Sequence, residues 1–176
     1  RVMNNTQQFS LSMRLFHWAM AALVISMLAA GLLMVRSLEP WQLSILTVHK
    51  AFGVVAAALV IARLMNRLFH QIPALPGDLS SLQTFVAKAS HWLLYLLLFA
   101  MPISGYLMQY FAGRPIDVFG WFRLPSALTV NIENYAIFRE LHGWLAIALM
   151  ALVALHVAAA LHHHFIRKDT VLKSML

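Results

Sequence analysis

The chain has 176 residues, of which 61% are hydrophobic and only 11% are charged, with a formal net charge of +7. A soluble domain of this size carries roughly a quarter charged residues, so the excess of apolar surface predicts an integral membrane protein. The sequence contains no cysteine, which excludes c-type haem attachment, cysteine-ligated iron–sulfur clusters and disulfide bonds.

Four apolar stretches are long enough to cross the hydrocarbon core, which takes ~20 residues of helix. Backbone polar groups in lipid must be satisfied within their own segment, so all four stretches are predicted to be helices. The predicted fold is all-α, an integral membrane four-helix bundle that forms a single domain over residues 1–176. The helices are expected at approximately 15–35, 45–69, 85–110 and 138–166.

Lysine and arginine are distributed unequally between the two ends of the predicted helices. Eight lie on the side that holds both termini and five lie on the other side. Cytoplasmic loops are enriched in these residues, so both termini are expected in the cytoplasm. The positive charge is thus explained by orientation in the bilayer, and no nucleic-acid partner is predicted. The eight are Arg1, Arg14, Arg63, Arg67, Lys88, Arg167, Lys168 and Lys173, and the five are Arg36, Lys50, Arg114, Arg123 and Arg139.

The chain has nine histidines, although ionisable side chains inside a membrane are costly and usually face a functional interior. His142 and His156 on the fourth helix are fourteen residues apart, so both project from almost the same face. Their separation along the helix axis is ~21 Å. That distance suits two cofactors stacked across the bilayer and does not suit one shared metal ion.

Depth in the membrane predicts a partner for each of these two histidines. His49 matches His142 near the outer side, and His17 matches His156 toward the cytoplasmic side. Each pair is predicted to bind one haem iron axially from opposite helices, because bundle cores hold cofactors in this way. Two histidines per iron favour electron transfer over oxygen binding. A structural or interfacial role is the alternative for any one of these histidines alone.

Arg63 follows His49 by fourteen residues and lies at the depth of the cytoplasmic pair. An inward-facing arginine there is predicted to hold haem propionates by charge-assisted hydrogen bonds. The alternative is a positively charged anchor that extends to the membrane surface. Other candidates for the same role are Arg14 and Arg67, with Lys50 at the outer haem.

Six short segments surround these residues in order along the chain. They are Leu15-Phe16-His17-Trp18, Val48-His49-Lys50, Ala62-Arg63-Leu64-Met65-Asn66-Arg67, His91-Trp92-Leu93-Leu94-Tyr95, Glu140-Leu141-His142, and Leu155-His156 through Lys168-Asp169-Thr170. By their order and spacing together, they resemble the bacterial cytochrome b561 family over nearly the whole chain.

This resemblance implies a multi-pass protein of the bacterial inner membrane that holds two haem b groups. It implies His17, His49, His142 and His156 as the four ligands, in agreement with the depth argument, and electron exchange with a membrane quinone such as ubiquinone. Some relatives oxidise superoxide at the outer face and reduce ubiquinone. Others serve as membrane subunits of partner redox proteins, including hydrogenases.

Three consecutive histidines, His162 to His164, follow the cytoplasmic ligand. His163 lies seven residues after His156, on the side of the helix that faces the haem. It is the first candidate for a quinone contact or proton relay, with an interfacial histidine at a helix end as the alternative. His91 is the second candidate for this role.

The leading hypothesis is electron transfer from a one-electron donor at the periplasmic side, possibly superoxide, to a quinone near the cytoplasmic side. Outer basic residues would attract the superoxide anion. Whether the chain is an oxidoreductase of the superoxide:ubiquinone type or an electron carrier stays open. A second hypothesis is a haem-carrying membrane anchor whose loop at 113–135 docks a partner redox protein and which has little activity alone. A third, a haem-free transporter or metal channel, lacks broken-helix or inverted-repeat signals.

Overall fold

Four long helices make up most of the computed structural model, which describes residues 8–36, 38–73 and 79–176. They are α1 (Leu11–Arg36), α2 (Trp41–Leu68), α3 (Ser81–Phe111) and α4 (Ile132–His162). All four are long and apolar enough to cross a membrane. The predicted all-α fold, a four-helix transmembrane bundle, is confirmed. Of the basic residues used for orientation, Arg1 lies outside the described residues.

The helices begin four to six residues before the predicted starts, because hydropathy marks only the lipid-embedded part. Polar caps account for two of these extensions. Before α3, the Ser80 side chain accepts a hydrogen bond from the Gln83 backbone N–H while the Gln83 side chain accepts one from the Ser80 N–H. Before α4, the Asn131 side chain accepts from the Asn134 N–H. Such caps satisfy backbone donors that a helix start leaves without intrahelical partners.

The helices pack in chain order, α1 against α2, α2 against α3 and α3 against α4. Few side chains are buried inside the bundle, so most of the apolar surface faces outward, as in a protein surrounded by lipid. The buried cluster draws on all four helices and consists of Met20, Val24, Val60, Tyr95, Leu97 and Leu149.

The fourth helix does not end as a regular α-helix. The chain continues as a π-helical turn over His163–Arg167 and then reverses at Lys168, which has a φ of 55°. Residues 168–176 form a segment that we call the C-terminal return. It contacts the start of α1, where the Phe9 N–H donates to the Ser174 carbonyl (3.0 Å) and Trp18 Nε1 donates to the Met175 carbonyl (2.9 Å).

The outer connection between α3 and α4 contains a β-hairpin that the sequence did not predict. Strands β1 (Ile116–Val118) and β2 (Phe122–Leu124) pair antiparallel around a turn in which Phe119 and Gly120 have φ values of 55° and 77°. The hairpin packs on the outer end of α2, where the rings of Phe52 and Phe119 lie 5.2 Å apart. Strands of three residues are too short to show an alternating pattern.

Candidate haem sites

The bundle brings two pairs of imidazole rings together across its interior. The ring centroids of His49 on α2 and His142 on α4 are 6.4 Å apart. Those of His17 on α1 and His156 on α4 are 6.2 Å apart. These are the two pairs that depth in the membrane predicted, and all four side chains are only partly accessible.

Both spacings suit two imidazoles on opposite sides of one metal ion. Metal–imidazole bonds of ~2.0–2.1 Å would place the two ring centroids roughly 6.3 Å apart. Among the described residues, no group of three or more His, Cys, Asp or Glu side chains is arranged to hold a metal ion. Sites with two histidines therefore suit a metal ion whose other ligands belong to a cofactor, as the porphyrin nitrogens do in haem.

His142 is held in the orientation and protonation state of a metal ligand. Its Nδ1 lies 2.9 Å from Ser104 Oγ and 3.1 Å from the Met101 carbonyl oxygen. A carbonyl only accepts, so Nδ1 carries the proton and Nε2 keeps a free lone pair. Such a hydrogen bond from the second ring nitrogen accompanies almost every metal-binding histidine.

Gly105 on α3 lets this imidazole approach the helix backbone. A Cβ atom at this position would stand 3.1 Å from His142 Cε1, which is closer than most side chains tolerate. Gly143, next to His142 in sequence, has nothing within 4 Å of an equivalent Cβ atom. The outer site therefore leaves little room for a side chain at position 105.

His49 faces an apolar cleft of about 620 Å³ between α1 and α2, which is also lined by Met27, Ala30 and Phe52. Its Nδ1 is buried and has no hydrogen-bond partner among the described residues. Buried polar atoms are rarely left unpaired in native proteins. A roomy apolar cleft beside such a nitrogen is compatible with a flat, largely apolar macrocycle.

The pair of His17 and His156 has a different environment. Arg63 Nη2 donates to His17 Nδ1 at 2.8 Å. A guanidinium only donates, so Nδ1 accepts and Nε2 carries the proton of the neutral ring. A metal bond through Nε2 would need that lone pair, so the proton would move to Nδ1 and Arg63 would have to release the ring. Ligation by His17 and this contact of Arg63 are therefore mutually exclusive.

His91 lies beside the same pair. Its ring centroid is 5.6 Å from that of His156, closer than the ring of His17. This distance is shorter than the spacing of two axial ligands and is typical of an ordinary contact between aromatic rings. The geometry thus favours His17 over His91 as the ligand opposite His156.

Sequence reasoning missed Tyr95, a buried residue of α3 beside Arg63 and Arg67. The guanidinium groups of Arg63 and Arg67 lie 5.7 and 5.5 Å from its ring centroid, and Arg67 also lies 5.8 Å from the ring of Trp92. No carboxylate among the described residues forms a salt bridge with either arginine. Two such cations beside His17 and His156 would attract an anionic group.

His163 belongs to a further cluster at the end of α4. Its Nδ1 lies 2.5 Å from Asp169 Oδ2, and Arg167 Nε donates to the same oxygen at 3.3 Å. Burial raises the pKa of Asp169, but hydrogen bonds from His163 and the Val171 amide outweigh it and leave the pKa below its ordinary value. Asp169 therefore remains a carboxylate at neutral pH. Its pairing with His163 was not predicted, because it depends on the π-helical turn.

Comparisons with known proteins identify the family of the chain. A sequence profile of the prokaryotic cytochrome b561 family matches residues 8–176. Cytochrome b561 homolog 2 of Escherichia coli K12 is 37% identical over 175 residues, covering 98% of this chain and 93% of the relative. A probable superoxide oxidase CybB of Yersinia pestis is 30% identical over 163 residues, covering 91% and 90%. Cytochrome b561 homolog 1 of E. coli K12 is 28% identical over 128 residues, covering 73% and 72%.

The match covers nearly the whole chain, and it includes every helix that positions the two histidine pairs. The chain belongs to the prokaryotic cytochrome b561 family and is a bacterial membrane protein that transfers electrons through haem b.

Proposed function

We propose that residues 1–176 form one domain that binds two haem b groups and transfers electrons from a one-electron donor at the periplasmic side to a quinone near the cytoplasmic side. One observation carries the proposal: α4 presents His142 and His156 fourteen residues apart, each facing a second imidazole at the spacing of axial ligands. When bound, haem b supplies a one-electron carrier at each level of the membrane.

The residues of the outer site would orient and isolate its ligands. Met101 and Ser104 fix the protonation state of His142, and Gly105 gives its ring room. At the cytoplasmic site, His17 and His156 would be the ligands. Arg63, once released from His17, would bind propionate carboxylates, since it has no carboxylate partner among the described residues.

The quinone end of the proposed path requires protons as well as electrons, because reduction of a quinone to a quinol takes up two of each. His163 is the first candidate donor, because Asp169 engages its Nδ1 and Nε2 is then the ring nitrogen that would meet a quinone. His91 is the second candidate, through its contact with His156.

Reoxidation by quinone tests this part of the proposal. The haem-loaded protein would be reduced, separated from excess reductant and mixed with a short-chain ubiquinone in a stopped-flow spectrometer. We expect the haem absorbance to report rapid oxidation, and His163→Gln to slow it. Oxidation of His163→Gln at the wild-type rate would exclude His163 as the proton donor.

The donor at the outer side is proposed to be superoxide. A relative carries the name probable superoxide oxidase, and basic side chains would attract an anion to this surface. Arg123 contributes less than the sequence suggested, because it pairs with Asp117 at 3.0 Å. Arg36, Lys50, Arg114 and Arg139 are the other outer cations. Ubiquinone reduction during a superoxide pulse should exceed that in buffer alone, and an equal rate would remove superoxide as donor.

A docking role is the second candidate function, and the hairpin favours it. Trp121 at the hairpin turn is 84% exposed and Phe122 is 49% exposed, which provides a folded apolar surface for a partner redox protein. Co-purification in mild detergent tests this alternative. A partner that is retained by the wild type and lost with Trp121→Ser, together with little activity of the isolated chain, would favour the docking role.

A further inference from the structure

Asp169 holds His163 in one orientation at the cytoplasmic end of α4. The carboxylate accepts from His163 Nδ1 and Arg167 Nε at Oδ2, and from the Val171 backbone N–H at Oδ1 (3.1 Å). The side chains of both His163 and Asp169 are about four-fifths shielded, with exposed fractions of 21% and 18%. Each oxygen of Asp169 thus has a donor, and neither the carboxylate nor the imidazole is free to rotate.

The backbone adds a second connection between the same two residues. The Lys168 N–H donates to the His163 carbonyl oxygen and closes the π-helical turn, and the Asp169 N–H donates to the same oxygen at 3.2 Å. Lys168 between them has a left-handed backbone conformation with φ 55°. A residue with positive φ commonly ends a helix in this way. This turn brings Asp169 back to the ring of His163, although the two residues are six apart in sequence.

Resting on the function proposed above, we infer that Asp169 is a positioning residue that keeps the Nδ1 of His163 occupied and directs Nε2 toward the quinone as the proton donor. In the step, the Nε2–H bond breaks and an O–H bond forms on one quinone oxygen, as one electron arrives from each of the two reduced haems. Water at the cytoplasmic surface supplies the proton for the second quinone oxygen. A water molecule from the cytoplasm then returns a proton to Nε2. Asp169 remains ionised throughout and stabilises the protonated imidazole.

Asp169→Asn is the informative substitution. The asparagine side chain has one acceptor oxygen in place of two, so either the Val171 N–H loses its acceptor or the His163 Nδ1–H and the Arg167 Nε–H both lose theirs. If the oxygen stays with Val171, the turn is preserved and the amide group turns a donor toward the ring. The imidazole then loses the interaction that fixes its protonation state, with little change in the backbone.

The experiment measures oxidation of the reduced, haem-loaded protein by short-chain ubiquinone over a range of quinone concentrations. We expect Asp169→Asn to lower the limiting rate roughly 10²-fold, the size of a general-acid contribution. The half-saturating quinone concentration, the haem content and the visible spectrum should stay near wild type. Asp117→Asn is the matched control, since Asp117 lies in the outer hairpin, and it should oxidise at the wild-type rate.

The double variant separates positioning from a purely structural role. If Asp169 acts through His163, adding Asp169→Asn to His163→Gln should change the rate no further. An equal loss in both backgrounds, or a wild-type rate for Asp169→Asn alone, would overturn the inference while leaving the proposed quinone site in place. A wild-type rate for His163→Gln would overturn both the inference and the proposed site.

Discussion

At the outer site, single residues of a neighbouring helix set the protonation state and the position of His142. Its protonation state is set by two acceptors on α3, and its approach to that helix requires the absence of a side chain at Gly105. These neighbours lie on a different helix from the ligand itself. Their roles can therefore be tested without altering any proposed iron ligand.

Gly105→Ala should weaken the outer haem site. The added Cβ atom would stand 3.1 Å from His142 Cε1, so the ring must move by a few tenths of an ångström. Ligand displacement on this scale is expected to lower affinity for the metal roughly tenfold or more. Haem per chain after purification, together with retention during dilution, measures the effect.

Gly143→Ala is the control for that change, because its Cβ atom would meet nothing within 4 Å. It should retain haem as the wild type does. Equal retention by the two variants would contradict the role assigned to Gly105.

His17 and His91 can be distinguished as partners of His156. The 6.2 Å spacing of His17 suits axial ligation and the 5.6 Å spacing of His91 does not. His17→Ala should therefore lose one of two haems, whereas His91→Ala should keep both, as measured by haem quantification and the visible spectrum. The opposite pattern would mean that His91 is the ligand.

At the residue scale, the sequence predicted the paired histidines because helical spacing and membrane depth follow from position alone. It did not predict Ser104, Tyr95 or Asp169 as their neighbours. Ser104 contacts His142 from α3, and Tyr95 on α3 lies beside Arg63 of α2. The rotation of a helix about its own axis, on which both contacts depend, does not follow from hydropathy. Asp169 reaches His163 only because the helix end takes the π-helical form.

At the scale of elements, α4 sets the distance and angle between the two proposed haem levels. It carries one ligand of each pair, and its α-helix runs without a break from Ile132 to His162. A change in its register between the two histidines would therefore turn one of them away from the interior without substituting any residue.

Insertion of one alanine between Leu149 and Met150 should reduce the haem content from two per chain to one. The insertion rotates one half of α4 by about 100° relative to the other. A matched alanine insertion beside Leu128, which lies in the outer connection and is fully exposed, should leave two haems. Two haems in both variants would contradict ligation by both His142 and His156.

Element boundaries were the least predictable part of the fold. The apolar runs predicted the number and order of the helices, because lipid imposes that pattern. The capped turns at Ser80 and Asn131, the hairpin at 116–124 and the π-helical turn depend on polar side chains and backbone hydrogen bonds, to which hydropathy is insensitive.

For the whole molecule, the up-and-down bundle places both ends of the chain at the same side of the membrane. That side carries seven of the twelve lysine and arginine residues that the structure describes, so we propose that it faces the cytoplasm. A green fluorescent protein fused to the C-terminus should fluoresce, and alkaline phosphatase fused there should be inactive. An active phosphatase fusion would reverse the orientation and with it the proposed direction of electron flow.

Haem stoichiometry tests the central claim of two haem b groups most directly. A reduced-minus-oxidised visible spectrum of the purified chain, with haem and protein quantified in the same sample, should show two low-spin b haems per chain. His49→Ala and His156→Ala should each leave one. A wild-type value of one haem per chain, or two haems retained in either variant, would contradict the assignment of the two histidine pairs.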